Sequence, residues 1–204
     1  MSLPVRQEYD RLADEYDTRW RRYIDASVQL AAEVIELQGQ EQVLDLACGT
    51  GQLAARLLAR WPQLQITGVD VSSQMLRRAR ARQLPVHWLC GEAASLPLAD
   101  EQFDVVACLS AFHYFRQPRR ALVEMRRVLR PGGQLIVVDW CDDYLSCKLC
   151  SAWLRLTDRA FYKTYSLAEC QTELQHAGFR VLSAVRRRID WLWGMMRLVA
   201  TRPL

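Results

Sequence analysis

The 204-residue chain has no apolar run approaching the ~20 residues that a membrane-spanning helix needs. It also has no internal repeats and no low-complexity linkers, so neither a repeat array nor a disordered tail is expected. No N-terminal stretch resembles a signal peptide, and the seven cysteines are an odd number. Reduced thiols in a cytoplasmic protein without stable membrane insertion are therefore expected.

The chain also has no strong net charge, because the formal charge is only +4. Almost all of its positively charged residues are arginines. The arginine clusters at 77–82 and 126–130 fall on predicted helices, where solvated helix faces are more common than nucleic-acid patches. Half of the residues are hydrophobic and a quarter are charged, as in ordinary globular proteins. The length and composition predict a single domain over residues 1–204, with no nucleic acid as partner.

The most informative segment is the apolar run that begins at Val43 and stops at the glycines of Gly49-Thr50-Gly51. A buried parallel strand that turns sharply into a helix over a ligand has this pattern. Asp70 ends a second predicted strand about 20 residues further on, where an acidic residue commonly holds ribose hydroxyls. Asp45 would repel a pyrophosphate but suits a cationic group. An adenosine-containing cofactor is predicted.

Three further segments follow in order: Gly91-Glu92-Ala93-Ala94-Ser95-Leu96-Pro97, the apolar strand Phe103–Leu109, and Arg127-Val128-Leu129-Arg130-Pro131-Gly132-Gly133. With the D-L-x-C-G-T-G loop and Asp70, the chain resembles the class I S-adenosylmethionine-dependent methyltransferases. Within them it is most similar to the branch that includes the ubiquinone and menaquinone methyltransferases. The motifs lie in register across residues 43–139, and with the lead-in helix the resemblance covers most of the chain.

The resemblance implies an α/β fold: a Rossmann-like, doubly wound, seven-stranded sheet, mostly parallel with an antiparallel last strand, and helices on both faces. Alternation of strand and helix patterns independently favours a mostly parallel sheet. Predicted strands are 42–47, 65–70, 86–90, 104–109, 134–140, 180–188 and 189–200, with a tight turn between the last two. Predicted helices are 26–37, 51–60, 73–82, 119–129, 145–161 and a capped helix from Ser166 to Gly178.

Apolar residues near the N-terminus recur at spacings of three and four, which predicts one helical face. They are Val5, Tyr9, Leu12, Tyr16, Trp20 and Tyr23. By resemblance, residues 1–40 form a helical cap over the cofactor site and residues 41–204 form the core. Near the other end, the apolar residues from Trp191 to Met196 are expected in a buried strand, with a membrane-facing patch as the alternative.

The expected cofactor site comprises Tyr16, Tyr23, Asp45, Ala47, Gly49, Gly51, Asp70, Val71, Met75, Glu92, Ala93, Leu109 and Ser110. Asp45 is expected near the methionine ammonium group, and Asp70 at the ribose hydroxyls. The resemblance implies that Glu92 and Ala93 read the adenine edge, although aspartate is more usual than glutamate there. The reaction leaves S-adenosylhomocysteine as the product of the methyl donor.

His113 and Tyr114 follow the fourth predicted strand, on the rim where ligands bind in such sheets. His113 is a candidate general base for a small-molecule acceptor, because its ordinary pKa lies near neutrality, and Tyr114 is a candidate pocket residue. An alternative is that His113 only orders its loop. Four residues at the end of strand five are further candidates for the acceptor pocket: Asp139, Trp140, Asp142 and Asp143.

Cys141, Cys147 and Cys150 invite a metal or arsenic interpretation, but structural zinc normally needs four ligands and no second pair is present. Small apolar core residues are the more common outcome, so no metal is predicted. A non-catalytic S-adenosylmethionine-binding sensor or scaffold, an arsenite or RNA methyltransferase, and an NAD-dependent oxidoreductase stay open as alternatives. The acceptor, and transfer to carbon, oxygen or nitrogen, is not fixed by these motifs.

Overall fold

The computed structural model describes residues 3–204, which form a seven-stranded sheet covered by helices. The strands are β1 Gln42–Leu46, β2 Gln65–Asp70, β3 Val86–Cys90, β4 Phe103–Leu109, β5 Leu129–Trp140, β6 Arg180–Arg188 and β7 Gly194–Thr201. The helices are α1 Leu3–Leu12, α2 Tyr16–Arg19, α3 Arg21–Ala32, α4 Gln52–Arg60, α5 Ser73–Ala81, α6 Pro118–Val128, α7 Leu145–Thr157 and α8 Leu167–His176, with a 3₁₀ turn at Phe112–Tyr114.

The strand order is β3-β2-β1-β4-β5-β7-β6. Strands β1 to β5 pair in parallel, and β7 runs antiparallel to both β5 and β6. The predicted mostly parallel sheet with an antiparallel last strand is confirmed. The order reverses between β1 and β4, and ligands bind at such a switch point beyond the carboxyl ends of the strands.

Each central strand is buried on both faces, so alternate side chains enter two separate cores. In β1, Leu44 and Leu46 pack into the core under α6 and α8, whereas Val43 packs into the core under α3 and α4. This double burial explains why the strands appear in the sequence as continuous apolar runs. At ~25 cal/mol per Å² of apolar surface, the two cores are the main stabilising contribution to the fold.

The predicted strand and helix bounds agree closely with the structure from β1 to α6, and those of β2 and β3 agree to the residue. Strand β5 is longer than predicted, because it starts at Leu129 and runs through Pro131-Gly132-Gly133. A β-bulge between Phe103 and Val105 accommodates that extension.

The N-terminal region departs from the prediction, because its apolar face is carried by three short helices instead of one. The helix predicted at 26–37 begins at Arg21 and ends at Ala32. Beyond it, the Glu41 carboxylate accepts hydrogen bonds from the backbone N–H groups of Gln38, Gly39 and Gln40. These bonds give the backbone an alternative to helix, so the chain turns into β1.

Two C-terminal predictions were also wrong in detail. Helix α7 ends at Thr157 instead of 161, where the Asp158 carboxylate accepts the N–H of Ala160 at 2.7 Å. Strand β7 starts at Gly194, because the Asp190 carboxylate accepts the N–H groups of Leu192 and Trp193 and forms a loop over 189–193. The capping box at Ser166 is present as predicted.

The N-terminal helices are tied to the sheet edge by ion pairs and hydrogen bonds. Asp14 pairs with Arg78 of α5, and Asp17 pairs with Arg82 at 2.8 Å. Asp10 accepts the Ser72 hydroxyl at 2.6 Å. The arginine cluster at 77–82 therefore holds α1 and α2 over the carboxyl ends of β1 and β2.

We predict that Gly68→Ala destabilises the protein by about 1 to 3 kcal/mol, because a Cβ at Gly68 would overlap the ring of Trp88. Urea unfolding of Gly68→Ala, Trp88→Leu and the double variant measures the coupling. The smaller side chain should relieve the overlap, so the double variant should lose less stability than the two single losses combined. Additive losses would show that Trp88 does not limit the space at Gly68.

Candidate functional site

The backbone after β1 winds tightly through three residues with positive φ. Ala47, Gly49 and Gly51 have φ values of 59°, 53° and 80°. A Cβ on Gly49 would meet no atom within 4 Å, so its positive φ, and not crowding, is what favours glycine there. The resulting turn brings the N-terminus of α4 close to the end of β2, which builds the floor of the site.

Asp70, at the end of β2, holds this turn in place. Its two carboxylate oxygens accept the backbone N–H groups of Gly49 and Ser72, each at 2.8 Å. A carboxylate offers about four acceptor positions, so roughly two are left for a ligand. Burial raises the pKa of Asp70, although the backbone donors oppose that change. The arrangement can accept hydroxyl groups from a ribose.

Asp45 is buried beneath the same turn, with a relative exposure of 2%. Within residues 3–204, no group hydrogen-bonds to its Oδ2 atom. Burial, with the charge of Asp70 as the second cause, raises the pKa of Asp45 to about 7. An unsatisfied buried carboxylate is costly, and a cationic ligand group nearby would restore its ordinary ionisation.

A small cavity of about 50 Å³ lies between this turn and the N-terminal helices. It is lined by Val5, Tyr9, Tyr16, Ala47, Gly49, Asp70, Val71, Met75, Leu109, Ser110, Ala111 and Tyr114. Eight of the lining residues, from Tyr16 to Ser110, are among the predicted cofactor residues. Pockets for ligands of this kind usually measure about 300 to 1,000 Å³. A nucleoside-sized ligand therefore requires Tyr9 and Tyr16 to move outward with their helices.

Some predicted cofactor residues lie elsewhere. Glu92 is exposed and, with Ala93, lines a separate cavity of about 170 Å³ beside α6. Gly51 faces the ring of Trp88, and Tyr23 lines the larger cavity described next. The structure thus brings the loop, Asp70 and the β4 end together, but not the G-E-A segment.

A second cavity, of about 720 Å³, opens beside the small one. Eight of its lining residues form an aromatic wall: Tyr9, Tyr16, Trp20, Tyr23, Tyr114, Trp140, Trp153 and Trp193. Charged residues also line it: Glu8, Arg11, Arg19, Asp158 and Arg159. Four residues line both cavities, namely Tyr9, Tyr16, Ser110 and Tyr114. The two spaces therefore meet at the end of β4.

His113 and Asp139 form a buried pair on the wall of the larger cavity. The Nδ1 atom of His113 lies 2.8 Å from Oδ1 and 2.9 Å from Oδ2 of Asp139. Asp139 also accepts the backbone N–H groups of His113 and Trp140, and the hydroxyl of Tyr23 at 3.4 Å. A carboxylate held by these donors keeps the proton on Nδ1, which leaves Nε2 as the basic nitrogen of the ring.

The other two acidic candidates do not line the cavity. Asp143 accepts the N–H of Leu167 at the start of α8 and pairs with Arg186 at 3.1 Å. Asp142 is half-buried, and burial raises its pKa. These residues organise the chain around α7 and α8.

Sequence reasoning missed the aromatic wall contributed by Tyr9, Trp20, Trp153 and Trp193, and the pairing of His113 with Asp139. The pairing of His113 with Asp139 could have been inferred from the sequence, because β4 and β5 are adjacent parallel strands and their ends meet. The sequence gives no signal for the wall, because these four residues come from α1, the junction of α2 and α3, α7 and the 189–193 loop.

The cysteine cluster is part of the packing around α7. Cys141 and Cys147 are fully buried, and burial raises the pKa of both thiols. The Sγ atom of Cys147 lies 3.3 Å from the N–H of Gly194 and 3.4 Å from the carbonyl of Leu192. Over residues 3–204, no three His, Cys, Asp or Glu side chains converge as a metal site would require.

No helix within residues 3–204 is long and apolar enough to cross a membrane.

Comparison with known proteins identifies relatives along most of the chain. Residues 43–133 match the family model described as "Methyltransferase domain". The O-methyltransferase cnsE of Penicillium expansum is 30% identical over 203 residues, which cover 87% of this chain and 72% of that protein. The demethylmenaquinone methyltransferase of Thermotoga maritima is 38% identical over 142 residues, covering 64% of this chain. The chain spans 59% of that relative's length.

Two solved structures show the same fold. The methyltransferase solved with the Haloferax volcanii Trm112 methyltransferase activator has a TM-score of 0.83 at 22% identity, covering 97% of this chain and 98% of its own. The [4+2]-cyclase SpnF has a TM-score of 0.80 at 23% identity, covering 98% and 95%. SpnF is named for a cyclisation, so the likeness to these two structures shows the fold and not the reaction.

We predict that the contribution of Asp45 to the free energy of unfolding falls as the pH rises from about 4 to about 7. Asp45 has an ordinary pKa of 3.8 and a folded value of about 7, so its protonated form favours the folded state. Asp45→Asn should be more stable than the parent at pH 8 by roughly 2 to 4 kcal/mol, with little difference at pH 4. Urea unfolding between pH 4 and pH 8 measures this difference in stability, with the exposed Asp25→Asn variant as control. If the unfolding free energies of the parent and of Asp45→Asn changed with pH in parallel, the raised pKa of Asp45 would be contradicted.

Proposed function

Because the chain belongs to the class I S-adenosylmethionine-dependent methyltransferases, we propose that it transfers a methyl group from S-adenosylmethionine to a small organic molecule. The observation that carries the proposal is the junction of the two cavities at Ser110 and Tyr114. A donor at the glycine turn and an acceptor in the aromatic cavity would meet there. Methyl transfer needs such alignment and exclusion of water more than it needs catalytic groups.

The cofactor site that we propose is centred on the strand ends. Asp70 binds the ribose hydroxyls, Asp45 stabilises the ammonium group of the methionine, and Met75 packs near the adenine. The support is the unused acceptor capacity of Asp70 and the unsatisfied Oδ2 of Asp45. S-adenosylmethionine supplies an electrophilic methyl group when bound. Glu92 and Ala93 stay candidates for the adenine edge, and that role requires loop 91–97 to shift.

For the acceptor, we propose that Nε2 of His113 takes a proton from a hydroxyl or amine group. Asp139 orients the ring and stabilises the imidazolium that forms, while Tyr114 packs against the His113 ring with centroids 4.2 Å apart. The aromatic wall favours a flat or largely apolar acceptor. Similarity to both a demethylmenaquinone methyltransferase and an O-methyltransferase is compatible with that chemistry.

The other interpretations have less support. A cavity of about 720 Å³ beside the donor site favours an enzyme over a sensor with a blocked pocket. The buried carboxyl group of Asp45, whose Oδ2 atom has no hydrogen-bond partner within residues 3–204, disfavours a pyrophosphate and thus NAD. Cys141 and Cys147 are packed into the core, unlike the accessible thiols that would bind arsenite. Free thiols at all seven cysteines support the predicted cytoplasmic location.

We expect S-adenosylhomocysteine to bind with micromolar affinity in calorimetry and NADH not to bind. Asp70→Asn should weaken S-adenosylhomocysteine binding at least tenfold, at ~1.4 kcal/mol per factor of ten for lost ribose hydrogen bonds. Asp25→Asn, which changes an exposed carboxylate on α3, is the matched control. Binding of NADH instead, or no binding of S-adenosylhomocysteine by folded protein, would overturn the proposal.

An acceptor is first found by following S-adenosylhomocysteine formation across a panel of phenols and amines. With that acceptor, Asp139→Asn should reduce kcat by about 100-fold or more. The affinity for S-adenosylhomocysteine should not change, because Asp139 does not line the small cavity. His113→Gln should behave similarly. An unchanged kcat in both variants would show that the pair only orders the loop.

A further inference from the structure

Helix α7 carries an apolar stripe that faces away from the protein. Its members are Leu145, Leu149, Trp153 and Leu156, which are 73%, 65%, 61% and 88% exposed. Spacings of four, four and three residues place them on one side of the helix. The opposite side, with Cys147 and Ser151, is buried against the core. This helix therefore has two apolar sides, and only one of them is used for folding.

Trp191 extends the exposed surface beyond the helix. It is 79% exposed in the 189–193 loop, which lies beside the first turn of α7 through the contact of Cys147 Sγ with the Leu192 carbonyl. The alternative of a wider membrane-facing patch is not borne out for Met195 and Met196, which are buried in β7. Only Trp191 of that segment is both large and exposed.

Lys148 and Arg155 give the exposed side of α7 a positive flank. Lys148 and Arg155 are exposed and lie together on one flank of α7, whose sequence contains no aspartate or glutamate. Arg188 stacks on the ring of Tyr144, next to the helix start, at 4.9 Å. Acids lie at the two ends of the helix. Asp143 pairs with Arg186, and Asp158 and Asp190 accept backbone N–H groups. Asp142 is half-buried near Lys148, whose charge opposes the rise in the Asp142 pKa that burial causes. The exposed side of α7 itself is apolar with a positive flank.

The stripe is continuous with the proposed acceptor cavity. Trp153 belongs to both, and its neighbours Leu154 and Thr157 also line the cavity. A surface that covered the stripe would therefore lie at the mouth of that cavity.

From these four observations, we propose that α7 and Trp191 form a docking surface for an anionic lipid bilayer. A helix with an apolar stripe, flanking lysine and arginine, and tryptophan at its margin lies in the membrane interface. Anionic headgroups complement Lys148 and Arg155. A second copy of the chain is less suitable, because a two-fold contact would bring the same cations together without acids on α7 to pair with them. The docked orientation gives an apolar acceptor a path from lipid to cavity.

The test is sedimentation of the whole chain with vesicles of phosphatidylcholine, alone or mixed with phosphatidylglycerol. We expect binding to the mixed vesicles that weakens with salt. The stripe variant Leu145→Gln/Leu149→Gln/Leu156→Gln should bind at least tenfold less. Lys148→Gln/Arg155→Gln should lose about fivefold per residue on the mixed vesicles only. The control Val123→Gln/Leu182→Gln/Val185→Gln changes exposed apolar residues elsewhere and should bind as the parent does.

Thermal unfolding and S-adenosylhomocysteine binding verify that each variant is folded, and neither readout depends on lipid. Vesicle binding in turn does not depend on methyl transfer, so the docking proposal and the proposed function can fail separately. Absence of binding to mixed vesicles, or equal binding by the stripe variant, overturns the docking proposal. A dimer in light scattering that the stripe variant dissolves, without vesicle binding, would assign the surface to a second copy instead.

Discussion

Parallel pairing of β1, β2, β4 and β5 is the constraint on which the candidate site depends. It brings the carboxyl ends of four strands to one edge, and with them Asp45, Asp70, Ser110 and Asp139. Three of these side chains are buried carboxylates, which a fold selected only for stability would avoid. Asp70 and Asp139 are satisfied by backbone donors, whereas Asp45 is left with an unpartnered oxygen. The electrostatic cost is concentrated where the strand order reverses and ligands bind.

The β–α repeats could be predicted from sequence because their signals are local. Continuous apolar runs indicate strands buried on both faces, and Ser166-Leu167-Ala168-Glu169 indicates a capped helix start. The N-terminal helices and the 189–193 loop could not be placed as well. Apolar spacing is the same for one long helix or several short ones, and the Asp190 carboxylate that organises the loop has no motif. In the loop, hydrogen bonds from nearby backbone N–H groups to the Asp190 carboxylate decided the outcome.

The candidate site likewise has one part that the sequence marks and one part that only the tertiary structure reveals. The turn residues and Asp70 could be placed because glycines and a strand end mark them in the sequence. His113 and Asp139 were each recognisable as strand-end residues, but their 2.8 Å contact depends on how η1, the 3₁₀ turn Phe112–Tyr114, folds back over β5. The aromatic wall is assembled from segments separated by more than a hundred residues, so only tertiary structure reveals it. The cap joins both parts, since Tyr9 and Tyr16 line the two cavities and Tyr23 reaches Asp139.

The most direct measurement is a crystal structure of the chain with S-adenosylhomocysteine. The account predicts ribose hydroxyls on Asp70, the ammonium group on the side of Asp45, and the sulfur directed into the cavity that His113 lines. Tyr9 and Tyr16 should lie further from the glycine turn than they do here, because the present space of about 50 Å³ cannot hold a nucleoside. A nucleoside bound away from Asp70, or a sulfur directed away from His113, would contradict the account.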